Sequence, residues 1–195
     1  AVPRSIKLDA NLQVAWDKSY LEQSPPDGMT ATLYSPAYET PDGGFAMAVR
    51  NDSTQSEFLR LDADGNVLWE LDLAPYTSQI WLLGVLPDGG YVITLQYNGY
   101  KLIHLDPVGN IVSQVVLPAG KRSILLSGGD VLTAYQTNNK TIFLRTDLAG
   151  NIIWQSPPYA DLQWFANQGG SELAAAPNDG FVFMSYVAAL NNNRL

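Results

Sequence analysis

There is no cysteine in the 195 residues. Disulfides, thiolate nucleophiles and Cys-ligated zinc are therefore excluded together. Histidine is nearly as scarce: His104 stands alone, too few for the His-rich catalytic zinc sites. Positive charge is also thin, with 11 Lys plus Arg against 19 Asp plus Glu and a formal net charge of -8. Duplex nucleic acid and anionic membrane surfaces both need clustered Lys and Arg, so neither is an expected partner. The longest apolar run, 186–190, is far too short to span a bilayer, and the N-terminal Ala-Val-Pro-Arg-Ser lacks the basic-then-apolar order of a signal peptide. A soluble chain without membrane insertion is expected, a form compatible with prior removal of a leader. No glycine-rich phosphate loop follows a strand and opens a helix, and long 3.6-residue periodicity is absent.

What the sequence has is repetition. "IKLDANLQVAW" (6–16), "LRLDADGNVLW" (59–69), "IHLDPVGNIVS" (103–113) and "LRTDLAGNIIW" (144–154) align without gaps. Their aspartates, Asp9, Asp62, Asp106 and Asp147, recur after 53, 44 and 41 residues, and seven positions after each comes Trp16, Trp69, Ser113 or Trp154. Between them sits a second phrase: "PDGGF" (41–45), "PDGGY" (87–91), a weaker "SGGDV" (127–131) and "PNDGF" (177–181). Asp-Gly between alternating apolar runs marks a tight hairpin, because glycine takes positive φ without steric cost. Each repeat is thus two hairpins. One unit is expected to place strands at about 79–86, 91–97, 100–106 and 109–116, with Asn98-Gly99 as its middle turn.

Four-stranded antiparallel units recurring at this period predict an all-β fold, a β-propeller of four-stranded blades, with a β-sandwich as the runner-up. Both side-chain parities of the third strands are apolar, as in Leu102, Ile103 and Leu105, which suits a sheet covered on both faces. One domain over 1–195 is expected, with blades at about 30–73, 77–117 and 119–157 and a composite blade from 5–20 plus 162–187. Closure at four blades, a fragment of a larger ring, and a half shared in a homo-oligomer all fit this phase.

Asp62, Asp64 and Asn66 beside Gly65 have the look of a calcium loop. An EF-hand, however, needs glycine at its sixth position and a carboxylate at its twelfth, whereas glycine is fourth here and Leu73 is twelfth. Only Asp-x-x-Gly-Asn persists in three copies, so a type I turn with a left-handed glycine is the favoured reading over a metal. In the first copy Leu12 replaces the glycine, and Asn11 is the expected left-handed residue. The tryptophans Trp16, Trp69 and Trp154 are expected to lock each blade to the next. Burying about 150–250 Å2 of indole contributes about 4–6 kcal/mol gross. His104 lies two residues before Asp106, where the other copies carry Lys7, Arg60 and Arg145. The site is therefore a repeat position for any cation, near the turn aspartate at the surface, rather than part of a catalytic triad. Asn51-Asp-Ser and Asn139-Lys-Thr match the short glycosylation pattern.

Turns 1-2 and 3-4 share one rim and are monotonous, whereas connections 2-3 and 4-1 share the other and vary strongly. Recognition of a protein or carbohydrate ligand is therefore expected on the variable rim, where Tyr76, Trp81, Tyr97, Tyr135, Tyr159 and Trp164 are the candidates. No catalytic residue, cofactor or metal is assigned.

"LRLDADGNVLW" with "LPDGGYVIT" resembles repeats of secreted bacterial β-propellers, common in surface proteins of the Bacteroidota that leave by the type IX route. It is more distantly similar to quinoprotein propeller repeats, from which its spacing departs by one residue. The resemblance covers about 5–187 and implies an extracellular or envelope location with an adhesive, carbohydrate-binding or assembly role. The expected function is a non-enzymatic extracellular binding or structural module. The alternatives are a glycan-binding lectin, a polysaccharide lyase or hydrolase with carboxylates at the channel mouth, and a subunit of a surface fibre.

Overall fold

The computed structural model describes residues 4–20, 32–33, 36–50, 56–73, 79–96, 99–117, 120–160, 162 and 172–184. Among these residues there are seventeen strands and no helix. Contacts divide the chain into two compact units, residues 1–114 and 115–195.

The first unit opens with a two-stranded sheet, β1 (Arg4–Leu8) on β2 (Val14–Ser19). The second sheet is a meander of β5 (Phe45–Arg50), β6 (Ser56–Leu61) and β7 (Val67–Asp72). Its innermost position is split between β3 (Thr32–Leu33) and β4 (Tyr38–Glu39), both paired with β5. The third sheet runs β8 (Gln79–Val85), β9 (Tyr91–Gln96), β10 (Tyr100–Leu105) and β11 (Ile111–Leu117), the last crossing the boundary of the two units. These bounds lie within two residues of the sequence expectation, because Asp-Gly turns punctuate both ends of the strands.

The second unit holds the meander β12 (Gly120–Leu125), β13 (Val131–Thr137), β14 (Lys140–Thr146) and β15 (Ile152–Gln155). It ends with the pair β16 (Glu172–Ala176) and β17 (Gly180–Met184). The strands expected to form one composite blade thus stand as two separate two-stranded sheets, β1–β2 and β16–β17.

Consecutive sheets stack face to face within each unit. Phe58 and Ala48 of the second sheet meet Ile80, Tyr91, Ile93, Ile103 and Leu105 of the third. Tyr20 packs from the end of β2 against Met47, Val49, Leu59 and Leu61. In the second unit Phe143 and Leu132 meet Leu173, Phe181 and Phe183. The reason lies in the residue pattern. Middle strands such as β9 are buried on both faces, so they are apolar at both parities, whereas outer strands such as β7 bury only alternate residues. This architecture is a β-propeller of four-stranded antiparallel blades.

Candidate functional site

The repeated aspartates are consumed by their own turns. Asp62 Oδ1 accepts the amides of Asp64 at 2.9 Å and Asn66 at 2.8 Å, while Oδ2 accepts the Asn66 side-chain amide at 2.8 Å. The Gly65 amide closes on the Asp62 carbonyl at 3.1 Å, with Gly65 at φ 76°. Asp106 and Asp147 repeat the arrangement with Asn110 and Asn151. Asparagine side-chain donation first, then the backbone amides, hold all three carboxyls below their ordinary range. Both oxygens of Asp62 thus face turn donors, so the set Asp62, Asp64 and Asn66 is a turn rather than a prepared ion cage. Asp9 makes the same amide bonds to Asn11 and Gln13. There the left-handed residue is Leu12 itself, at φ 62°, and not Asn11: the turn keeps its geometry and the fourth position bears the strain whatever residue occupies it.

The repeated cation position lies deeper than expected and pairs with a different turn. Arg60 is buried, and its Nη2 donates to both oxygens of Asp42, in the 1-2 turn, at 2.5 Å. Its Nη1 donates to the Leu61 carbonyl. Arg145 likewise bonds Asp130 Oδ2 through Nε at 2.8 Å and Nη2 at 2.6 Å. Lys7 instead reaches the Ala63 carbonyl at 3.4 Å and lies 4.9 Å over the Phe45 ring. His104 lies beside Gly90 and the Asp88 carboxylate end of its own sheet's 1-2 turn. Antiparallel pairing explains the correction, since β5 register sets Ala46 opposite Arg60 and so puts the 1-2 turn beside the arginine.

Arg145 also bonds Asp179 Oδ2 at 2.9 Å. Asp179 accepts from Ser127 Oγ at 2.6 Å and from the Gly128 amide at 3.2 Å, and the Ser127 bond followed by Arg145 lowers its pKa. Asn178 and Asp179 are both left-handed, at φ 58° and 57°, in a tighter two-residue turn closed by the Gly180 amide on the Pro177 carbonyl. The last hairpin is thereby latched to the sheet before it.

Two of the tryptophans sit on the following sheet's turn. The Trp16 indole covers Gly65, where an added Cβ would stand 2.9 Å from Cδ2, and its Nε1 donates to Ala63 O at 3.0 Å. Trp69 covers Gly109 in the same way, 3.0 Å from an added Cβ, with its ring 5.5 Å from Phe58 and 5.8 Å from Tyr91. In the third copy, where Ser113 replaces the indole, Val115 stands against Gly150. Trp154 differs, remaining 43% exposed. The hairpin β16–β17 that comes after it supplies the first two strands of a blade and no 3-4 turn to receive an indole.

Of the variable-rim candidates, Tyr76, Tyr97 and Trp164 lie outside the described residues. Trp81, half-buried on β8, has its ring 6.1 Å from Tyr100. Tyr135 is half-buried on β13, and Tyr159 is exposed. Tyr159 exchanges backbone bonds with Thr141 at 2.8 and 3.0 Å, its ring 5.9 Å from Phe143. Each of these three residues is thus held to its own sheet.

A concavity with no counterpart among the sequence expectations opens on the repeated rim of the first unit. It holds about 230 Å3 and is lined by Pro41, Pro87, Pro107, Tyr91, Arg60 and Asp88, among others. A wider depression of about 520 Å3 adjoins it between Glu39 and Leu86. The signal in the sequence was the proline preceding each Asp-Gly pair, which stiffens the turns that form the walls.

These stacked meanders and their shared turns define a β-propeller repeat protein. No protein-family model matches the chain, and no curated protein does. Similar solved structures include a protein of unknown function from Bacteroides caccae, at 17% identity over 93% of this chain and 63% of that one, with a TM-score of 0.58. A eukaryotic initiation factor matches at 10% identity over 82% of this chain and 44% of that one, TM-score 0.56. A weaker likeness, TM-score 0.48 at 14% identity over 76% and 40%, is to the Dos1 propeller. The chain therefore spans less than two thirds of the length of these relatives, and the likeness is one of fold.

Proposed function

We propose that this chain is a non-enzymatic binding or structural propeller module that works outside the cytoplasm, in surface adhesion or assembly. The observation that carries the reading is the character of the outermost strands. β11 pairs only with β10 and β15 only with β14, so each is a sheet edge. Neither strand carries a charge, and Ile111, Val112, Val116, Ile152 and Ile153 are all at least half exposed. Edges are ordinarily blunted by charge, as Glu70 and Asp72 do on β7. Uncharged apolar edges instead suit a partner strand or an apolar partner surface. The recurrent polar groups, by contrast, are engaged in turns and latches.

The test is surface labelling of intact producing cells, with Val112→Lys and Ile153→Lys variants compared at unchanged melting temperature. The reading expects the wild type on the outer surface and at least a tenfold loss of surface retention in the double variant. Retention that survives these changes and vanishes with Trp81→Ala on a glycan array would replace it with the lectin reading. Depolymerisation of a polysaccharide by the pure chain would replace it with the enzyme reading.

A further inference from the structure

The two terminal half-sheets are each docked on one face and open on the other. In the first, Lys7 lies over Phe45 and Ser5 Oγ meets Met47 Sδ at 3.9 Å, while the alternate residues Ile6 and Leu8 are 52% and 49% exposed. In the last, Phe181 and Phe183 stack on Phe143 at 5.0 Å, while Val182 and Met184 are 55% and 60% exposed. A free two-stranded hairpin with a bare apolar face is marginal in water.

The intact blade shows how the halves fit. Its second and third strands pair Tyr91 with Leu105, Val92 with His104, Ile93 with Ile103 and Thr94 with Leu102. The second blade pairs Phe45 with Leu61 and the fourth sheet pairs Val131 with Thr146, in the same register relative to the repeat aspartate. Carried over by the repeat, this register sets Phe181 opposite Leu8, Val182 opposite Lys7, Phe183 opposite Ile6 and Met184 opposite Ser5. Parity then agrees on both faces. Open Ile6 and Leu8 continue the docked face of Phe181 and Phe183, as Ile103 and Leu105 share one core with Tyr91 and Ile93. Open Val182 and Met184 continue the docked face of Lys7 and Ser5. No like charges meet across the join.

We propose that β17 of one copy of this chain pairs with β1 of a second copy, completing a four-stranded blade from β16–β17 of the one and β1–β2 of the other. A second copy is the occupant because the single chain leaves the half-sheets as separate sheets with both apolar faces exposed. The exchange is reciprocal, so a twofold dimer contains two such blades and no unpaired half-sheet.

The test uses the whole chain, whose lack of cysteine gives a clean background. Sedimentation at micromolar concentration is expected to give twice the chain mass. A Ser5→Cys chain mixed with a Met184→Cys chain is expected to form a disulfide heterodimer under mild oxidation, since directly opposed Cβ atoms lie about 4.5–5.5 Å apart. Ile6→Cys, on the opposite face, is expected not to cross-link to Met184→Cys. A monomer at all concentrations, a disulfide confined within one chain carrying both cysteines, or cross-linking through Ile6→Cys would each overturn the proposal.

Discussion

Leu12 shows how far a single residue follows its place in a repeat. It occupies the position that glycine holds in the three sister turns, and it adopts their left-handed conformation at φ 62° although its side chain is 76% exposed and gains no core contact. A non-glycine residue in that region carries a penalty on the order of 1 kcal/mol. Leu12→Gly is therefore expected to raise unfolding stability by about 0.5–1 kcal/mol, read from urea denaturation; a loss of stability would mean that the leucine is held by contacts of its own. The aspartate at the head of each turn was legible in the sequence, because Asp-x-x-Gly-Asn is a local pattern whose hydrogen bonds close within five residues. The left-handed leucine was not, since local preference favours asparagine there and only the hydrogen bonds to Asp9 from Asn11 and Gln13 settle the register.

At the scale of the element, strand pairing decides which charges meet. Glu57 on β6 lies opposite Asp72 on β7, with Glu70 on the same edge. Burial first, and then repulsion from Glu70 and Asp72, push the Glu57 carboxyl above its ordinary range. A carboxyl raised on folding binds its proton more tightly in the folded chain. It therefore lowers stability once the pH exceeds its unfolded pKa, a loss that grows until the folded pKa is passed and vanishes below the unfolded value of about 4.3. Glu57→Gln is accordingly expected to raise the melting temperature at pH 7 and to leave it unchanged near pH 3. An equal gain at both pH values would show that charge is not the cause. Strand positions were readable from alternation and turn signals, whereas the cross-strand partners of Glu57, and the pairing of Arg60 with Asp42 rather than Asp62, depend on register, which the sequence leaves to the turn geometry.

For the whole molecule, the docking of each blade on its neighbour's turn is the contact on which the stacking of sheets depends. The spacing of the tryptophans announced that docking, and Trp16 and Trp69 perform it, but the exposure of Trp154 was not legible because it depends on the hairpin after β15 rather than on the repeat itself. The repeated rim likewise hid its concavity, since the walls around Tyr91 come from turns of two sheets distant in sequence. The most direct test is a double-mutant cycle in equilibrium denaturation on Trp69→Ala and Gly109→Ala. Trp69→Ala alone is expected to cost about 3 kcal/mol. A methyl at residue 109 collides with the indole, so Gly109→Ala is expected to cost less once the indole is gone, giving a coupling of about 1 kcal/mol or more. Strict additivity of the two losses would mean that the indole does not rest on the neighbouring turn, and would contradict the blade-to-blade lock.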